Sequence, residues 1–292
     1  MELKGVFPAI ITPFTEDNEI DEEGLRRNIR YLLDNGVTGV VPCGTTGESA
    51  TLSYEEHDKV IDIAIDTTKK DEPVIAGTGS NSTRETIDLT GYAEDVGADV
   101  AMIITPYYNK PNDEGLIDHY KTVAATTELP ILVYNVPSRT GTNLKPEVIA
   151  ELSKIENIIG VKEASGDVSQ VSDIIAKTPD DFNILSGNDG QTLPIMSLGG
   201  RGTVSVAANI APSLVSKMVQ KMQDNKLREA RDLHYKLSPL FHAIFLETNP
   251  IPVKTALNMM DRPSGPLRSP LGSLSEENRN KLKKVLIELE LI

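Results

Sequence analysis

A lysine stands in the middle of an apolar run. Ile158–Gly166 reads IIGVKEASG, with Lys162 near its centre. Such a run suits a fully buried parallel strand. An ammonium buried there without a partner is costly, and the group responds by losing its proton. A neutral lysine amine attacks carbonyls to give a Schiff base. On a strand, Gly160, Lys162 and Ala164 share one face, and the two small neighbours leave room for a long side chain and a substrate. The plainer alternative puts Lys162 at the strand's end with its ammonium in water.

Other residues with chemical potential follow short apolar runs in the same way. They lie in Gly44-Thr45-Thr46-Gly47-Glu48, in Thr105-Pro106-Tyr107-Tyr108-Asn109, in Tyr134–Gly141 (YNVPSRTG) and in Ser186-Gly187-Asn188-Asp189. GTTGE reads either as a tight turn or as an anion cradle, in which two hydroxyls and freed backbone N–H groups grip a carboxylate. Tyr134 is either a rim aromatic or, beside a lysine one strand away, a proton relay. Arg139 is either a surface charge or a bidentate grip for a second carboxylate. Tyr107 and Tyr108 read as an aromatic rim patch for packing or oligomerisation. Cys43, inside an apolar run, is expected to be a small buried residue rather than a nucleophile. Taken together, a buried amine, a phenol, hydroxyl donors and an arginine suggest Schiff-base chemistry on an oxo acid. The imine would stabilise a carbanion at the adjacent carbon, which then adds to an aldehyde. The residue pattern by itself leads to a class I aldolase or lyase.

These residues need a scaffold that brings strand ends together. Strands are expected at Val6–Pro13, Gly39–Cys43, Pro73–Gly77, Val100–Thr105, Ile131–Asn135, Ile158–Glu163, Asn183–Ser186 and Gly202–Ala207, with helical segments between them. Asp21 and Ser53 read as N-caps; Ser53 with Glu56 makes a capping box, and Gly36 and Gly97 fall where a C′ glycine belongs. Strict strand–helix alternation predicts a (β/α)8 TIM barrel over residues 1–224. Residues 225–292 are expected to form a C-terminal helical extension packed on the barrel, with helices at Leu227–Leu246, Pro252–Met260 and Ser275–Leu289. Ser238-Pro239 is expected to kink or interrupt the first of these. In a barrel, chemistry gathers at the C-terminal strand ends, where the polar residues above fall.

Composition narrows the partners. The chain has 292 residues, 39% hydrophobic, and a net charge of −14, which repels nucleic acid and anionic lipid. No apolar run is long enough to span a membrane, and MELKGVFPAIITPF lacks the apolar segment of a signal peptide. One cysteine allows no intrachain disulfide, which suits a reducing cytoplasm. The four histidines are scattered, and there is no phosphate loop or dinucleotide fingerprint, so no metal or nucleotide cofactor is expected.

YNVPSRTG, together with VKEASG (Val161–Gly166) and GTTGES (Gly44–Ser49), resembles the dihydrodipicolinate synthase family. TPYYNKP, IAGTG, LSGND, NPIPVK and FPAIITPF add to the likeness, which runs along essentially the whole chain. The wider superfamily, with N-acetylneuraminate lyase and the keto-deoxy sugar-acid aldolases, shares the barrel, a GxTGE-like turn and the lysine. The resemblance implies condensation of pyruvate with L-aspartate 4-semialdehyde, in diaminopimelate and lysine biosynthesis, without metal or organic cofactor. It implies that Lys162 forms the imine and that Thr45 and Thr46 hold the pyruvate carboxylate. Thr45, Tyr134 and Tyr108 would relay protons, with Tyr108 reaching in from a neighbouring subunit of a homotetramer built as a dimer of dimers. Arg139 would bind the semialdehyde carboxylate, and Gly187 and Val204 would line the pocket with their backbone. Ser49, Ala50, His57, Asn81, Glu85 and Tyr107 match an L-lysine effector site, while Tyr54 stands where some lysine-sensitive members carry histidine. Two other readings stay open at this point: a pyruvate-dependent aldolase acting on a sugar acid, and a non-catalytic metabolite-binding barrel.

Overall fold

The computed structural model describes every residue from Met1 to Ile292. The chain forms two compact units, one of Met1–Lys4 and Ile75–Val204, the other of Gly5–Val74 and Ser205–Ile292. The strands are β1 (Gly5–Pro8), β2 (Ile75–Gly77), β3 (Val100–Ile104), β4 (Ile131–Asn135), β5 (Ile158–Glu163), β6 (Asn183–Ser186) and β7 (Gly202–Ser205). The helices are α1 (Glu22–Asp34), α2 (Tyr54–Thr67), α3 (Thr83–Asp95), α4 (Asp113–Ala124), α5 (Pro137–Thr140), α6 (Pro146–Leu152), α7 (Val168–Lys177), α8 (Thr192–Leu198), α9 (Pro212–Gln223), α10 (Leu227–Ala243), α11 (Ile251–Met259) and α12 (Glu276–Glu288). The architecture is α/β, a seven-stranded parallel sheet with helices between the strands.

In the first unit the strands run in the order β2-β3-β4-β5-β6-β7. β3, β4 and β5 are almost entirely buried, as continuous apolar runs in a parallel sheet must be. The register opposes Tyr134 to Lys162 and Asn135 to Glu163 across β4 and β5, and Lys162 to Leu185 across β5 and β6. β6 approaches β5 closely at Gly160, where a Cβ would lie 2.4 Å from the Asn183 carbonyl oxygen. Around the sheet α3 packs on α4, α4 on α6, α6 on α7, and α7 on α8.

In the second unit Ala9 N–H, just past β1, donates to the Ser205 carbonyl. The expected strand Gly39–Cys43 is reduced to two parallel single bridges, Ala9 with Val41 and Val40 with Val74. Its extended backbone stops early because Cys43 turns into the left-handed region, at φ 55°, to enter the GTTGE turn. α1 packs on α2, and α10 packs on both α9 and α12. The α2 capping box forms as expected, with Ser53 and Glu56 satisfying each other's N–H groups. The Asp21 carboxylate caps α1 through Gly24 N–H, and Gly36 and Gly97 adopt φ of 87° and 94° after their helices. Pro239 does not interrupt α10. The carbonyl it deprives of a donor belongs to Tyr235, one turn earlier on an exposed face that water reaches. No helix is long and apolar enough to cross a membrane.

Candidate active site

β5 carries Lys162 into the first unit's interior, where it is 5% exposed. Its Nζ lies 3.8 Å from the ring centroid of Tyr134, its register partner on β4. Tyr134 is buried too. Burial lowers the Lys162 pKa to about 7; Asp189 raises it, and Arg139 adds a further lowering. Burial thus makes the neutral amine far more accessible near neutral pH than it is for a lysine in water. Gly187 keeps the space around it open: a Cβ there would lie 2.7 Å from Ala164 Cβ and 3.2 Å from Lys162 Cε. Val204 on β7 is buried.

Arg139 sits on the short helix α5, with an exposed side chain. Pro137 at the first position and Gly141 at φ 69° frame one helical turn. Its two ends are tied together. Asn135 Nδ2 donates to Asn143 Oδ1 at 2.9 Å, Leu144 N–H donates to Asn135 Oδ1 at 3.0 Å, and Asn143 Nδ2 donates to Gln170 at 2.7 Å. Glu163 accepts from Asn135 Nδ2 and from Ser165 N–H, and burial pushes its carboxyl above the ordinary range. The next loop carries Tyr107, partly exposed, and Tyr108, 89% exposed at φ 72°. Thr105, at its start, donates both its N–H and its hydroxyl to the Tyr134 carbonyl.

The second unit holds the GTTGE turn. Its own hydrogen bonds use the N–H groups of Gly47, Glu48 and Ser49, which donate to Gly44, Thr45 and Gly44. The N–H groups of Thr45 and Thr46 and the Thr45 hydroxyl have no protein acceptor, although Thr46 is buried and Thr45 half-buried. Thr46 Oγ1 accepts from Asn249 Nδ2 at 2.9 Å, which leaves its own proton to donate elsewhere. The turn thus presents two backbone donors and two hydroxyls that no protein group takes up. Cys43 is buried, its thiol pushed up by burial and donating to the His57 carbonyl, so it is no nucleophile.

The residues matched to an effector site divide between the units. Asn81, Glu85 and Tyr107 lie in the first, where Asn109 joins two of them: its amide donates to the Asn81 carbonyl and its N–H to that of Tyr107. Glu85 accepts from the Ser80 hydroxyl. Ser49, Ala50 and His57 lie in the second; His57 is buried and Ala50 exposed. Two side chains have a local role that the sequence does not assign. Asp189 counters the loss of the Lys162 proton, and Lys254 forms a buried ion pair with Glu48. Lys254 carries the same signal as Lys162, a lysine inside the apolar stretch IPVKTAL.

The dihydrodipicolinate synthetase family matches residues 2–289. The chain belongs to this family. It is 56% identical over 287 residues to 4-hydroxy-tetrahydrodipicolinate synthase of Methanothrix thermoacetophila, covering 98% of this chain and 97% of that one. A solved dihydrodipicolinate synthase superposes with a TM-score of 0.97 at 54% identity, covering 99% and 100% of the two chains. The chloride-inhibited enzyme from Acinetobacter baumannii, complexed with pyruvate, gives a TM-score of 0.97 at 42% identity and covers 99% of each chain.

Proposed function

We propose that the chain condenses pyruvate with L-aspartate 4-semialdehyde to 4-hydroxy-tetrahydrodipicolinate, through an imine on Lys162. The observation that carries this is a buried amine with a pKa of about 7 against the Tyr134 ring, in a chain of this family. The neutral amine attacks the ketone carbon of pyruvate and expels water. The imine then gives up a methyl proton, and the resulting enamine carbon bonds to the aldehyde carbon of the semialdehyde. The semialdehyde's amino group displaces Lys162 from the imine carbon and closes the ring, which regenerates the free amine. Thr45 and Thr46 hold the pyruvate carboxylate, supported by the donors their turn leaves unused. Arg139 receives the semialdehyde carboxylate, and Tyr134, Thr45 and Tyr108 relay protons. Gly187 and Val204 line the pocket. The reaction needs no metal or organic cofactor.

The same reading extends to the assembly. A closed (β/α)8 barrel over 1–224 with a helical extension over 225–292 is supported by the strand–helix alternation and by the bridges of Val40 and Val41 to both flanking segments. The exposure of Tyr107 and Tyr108 supports a homotetramer in which Tyr108 completes a neighbour's site. We place the enzyme in the cytoplasm and assign Ser49, Ala50, His57, Asn81, Glu85 and Tyr107 to an L-lysine effector site. The test is a coupled assay with both substrates, using dihydrodipicolinate reductase and its reduced nicotinamide as reporter. Oxidation that requires both substrates is the expected result; L-lysine added to the same cuvette tests the effector site. Borohydride trapping of pyruvate without turnover on the semialdehyde would refute the aldehyde assignment.

A further inference from the structure

We propose that the Glu48–Lys254 pair is a positioning device for the keto-acid carboxylate, locking the Thr45–Thr46 turn in its anion-receiving form. The inference rests on the function proposed above. Both side chains are 1% exposed. Lys254, on α11, uses all three of its protons: Nζ donates to Glu48 Oε1 at 2.8 Å, to the Thr12 carbonyl at 3.1 Å and to the Pro266 carbonyl at 2.6 Å. The other Glu48 oxygen accepts from Arg268 N–H at 3.0 Å. Glu48 closes the turn at φ 55°, a left-handed backbone that a residue with a Cβ holds only when its surroundings fix it. The fixing groups are in place, and they come from far along the chain.

A second anchor sits beside the first, since Thr12 Oγ1 donates to the Gly47 carbonyl at 2.7 Å. Thr12 thus touches both Lys254 and the turn. Arg268, whose backbone holds Glu48, forms an ion pair with Glu56 through its guanidinium and also donates to the Thr51 carbonyl. The cluster therefore sets two cations against two carboxylates and is not itself the anion receptor. A buried ion pair adds little net stability compared with an apolar pair of the same shape. What it supplies here is geometry: the turn is held at its last residue while the donors on Thr45 and Thr46 stay unused.

The test compares the parent chain with Glu48→Gln and with Glu48→Gln/Lys254→Met. The double variant leaves no unpaired buried charge, so its fold is preserved when the single one is not. Borohydride trapping on Lys162 is measured against pyruvate and against hydroxyacetone, a ketone of similar size without a carboxylate. The expected result is a half-saturating pyruvate concentration raised about tenfold, the loss of one well-placed charge-assisted contact. The trapping rate at saturation and the response to hydroxyacetone should stay at the parent value. A pyruvate dependence equal to the parent's overturns the inference, and so does a parallel loss with both ketones, which would mark a merely structural pair. A parent that does not trap pyruvate overturns the proposed function as well, so the two failures are told apart by the control.

Discussion

Replacing Lys162 with methionine should stabilise the protein at neutral pH, and the gain should shrink as the pH rises. The lysine has an ordinary pKa of 10.5 and one of about 7 in the fold. Between those values the unfolded chain holds one proton more than the native state, so native stability rises with pH through that window and the cost is fully present below about pH 7. With 1.36 kcal/mol per unit, the lysine costs on the order of 4 kcal/mol at pH 7, about 2 kcal/mol at pH 9 and almost nothing at pH 11. Methionine fills similar volume, is readily accommodated in cores and carries no charge. Guanidinium unfolding of parent and Lys162→Met, at one protein concentration, should show a difference in ΔG about 2 kcal/mol larger at pH 7 than at pH 9. A gain independent of pH would mean that Lys162 does not titrate near neutrality in the fold, and the account of a neutral nucleophile would fail.

The rate of pyruvate trapping should rise through a pKa of about 7; Asp189→Asn should move that midpoint down and Arg139→Gln should move it up, following the charge each removes. Gly187→Ala should reduce trapping at least about tenfold, because its Cβ would crowd Ala164 Cβ at 2.7 Å and Lys162 Cε at 3.2 Å; parent-like kinetics would show that the space is not needed. Asn143→Ala opens the tie between the two ends of the Arg139 turn, so the KM for the semialdehyde should rise several-fold while that for pyruvate stays constant. Cys43 is buried with its thiol pushed up. A thiol reagent should therefore label it only after denaturant is added, and rapid labelling of native protein would contradict its placement.

What could be read from the sequence was local. Lys162 announced itself because a lysine in an apolar run has few places to go, and the run's length gave β5 to the residue. The caps at Asp21 and Ser53 were legible because their partners lie three residues away. Contacts between remote residues were not. Glu48 and Lys254 are 206 positions apart, and no spacing rule connects them. Asp189 stands among the polar strand-end residues, but its role could not be read there, because its effect on Lys162 depends on how the β6 loop folds back, not on its neighbours in sequence. The segment Gly39–Cys43 reads as a strand by composition, yet it pairs at single residues because the left-handed turn at Cys43 limits its length. Of the two outcomes expected at Pro239, a kink or an interruption, the interruption does not occur, because the carbonyl left without a donor is that of exposed Tyr235, a property of the folded surface.

The second compact unit joins Gly5–Val74 to Ser205–Ile292, with the whole of Ile75–Val204 between them in the chain. On a translating ribosome these halves emerge on the order of 10 s apart. Until Lys254 and Arg268 leave the exit tunnel, Glu48 has neither of the donors that hold it. A chain that ends before Lys254 therefore contains both Lys162 and the Thr45–Thr46 turn but neither of the donors that hold Glu48 at the end of that turn. The geometry of the turn at residues 44–48 is thus completed only by the last stretch of chain to be made.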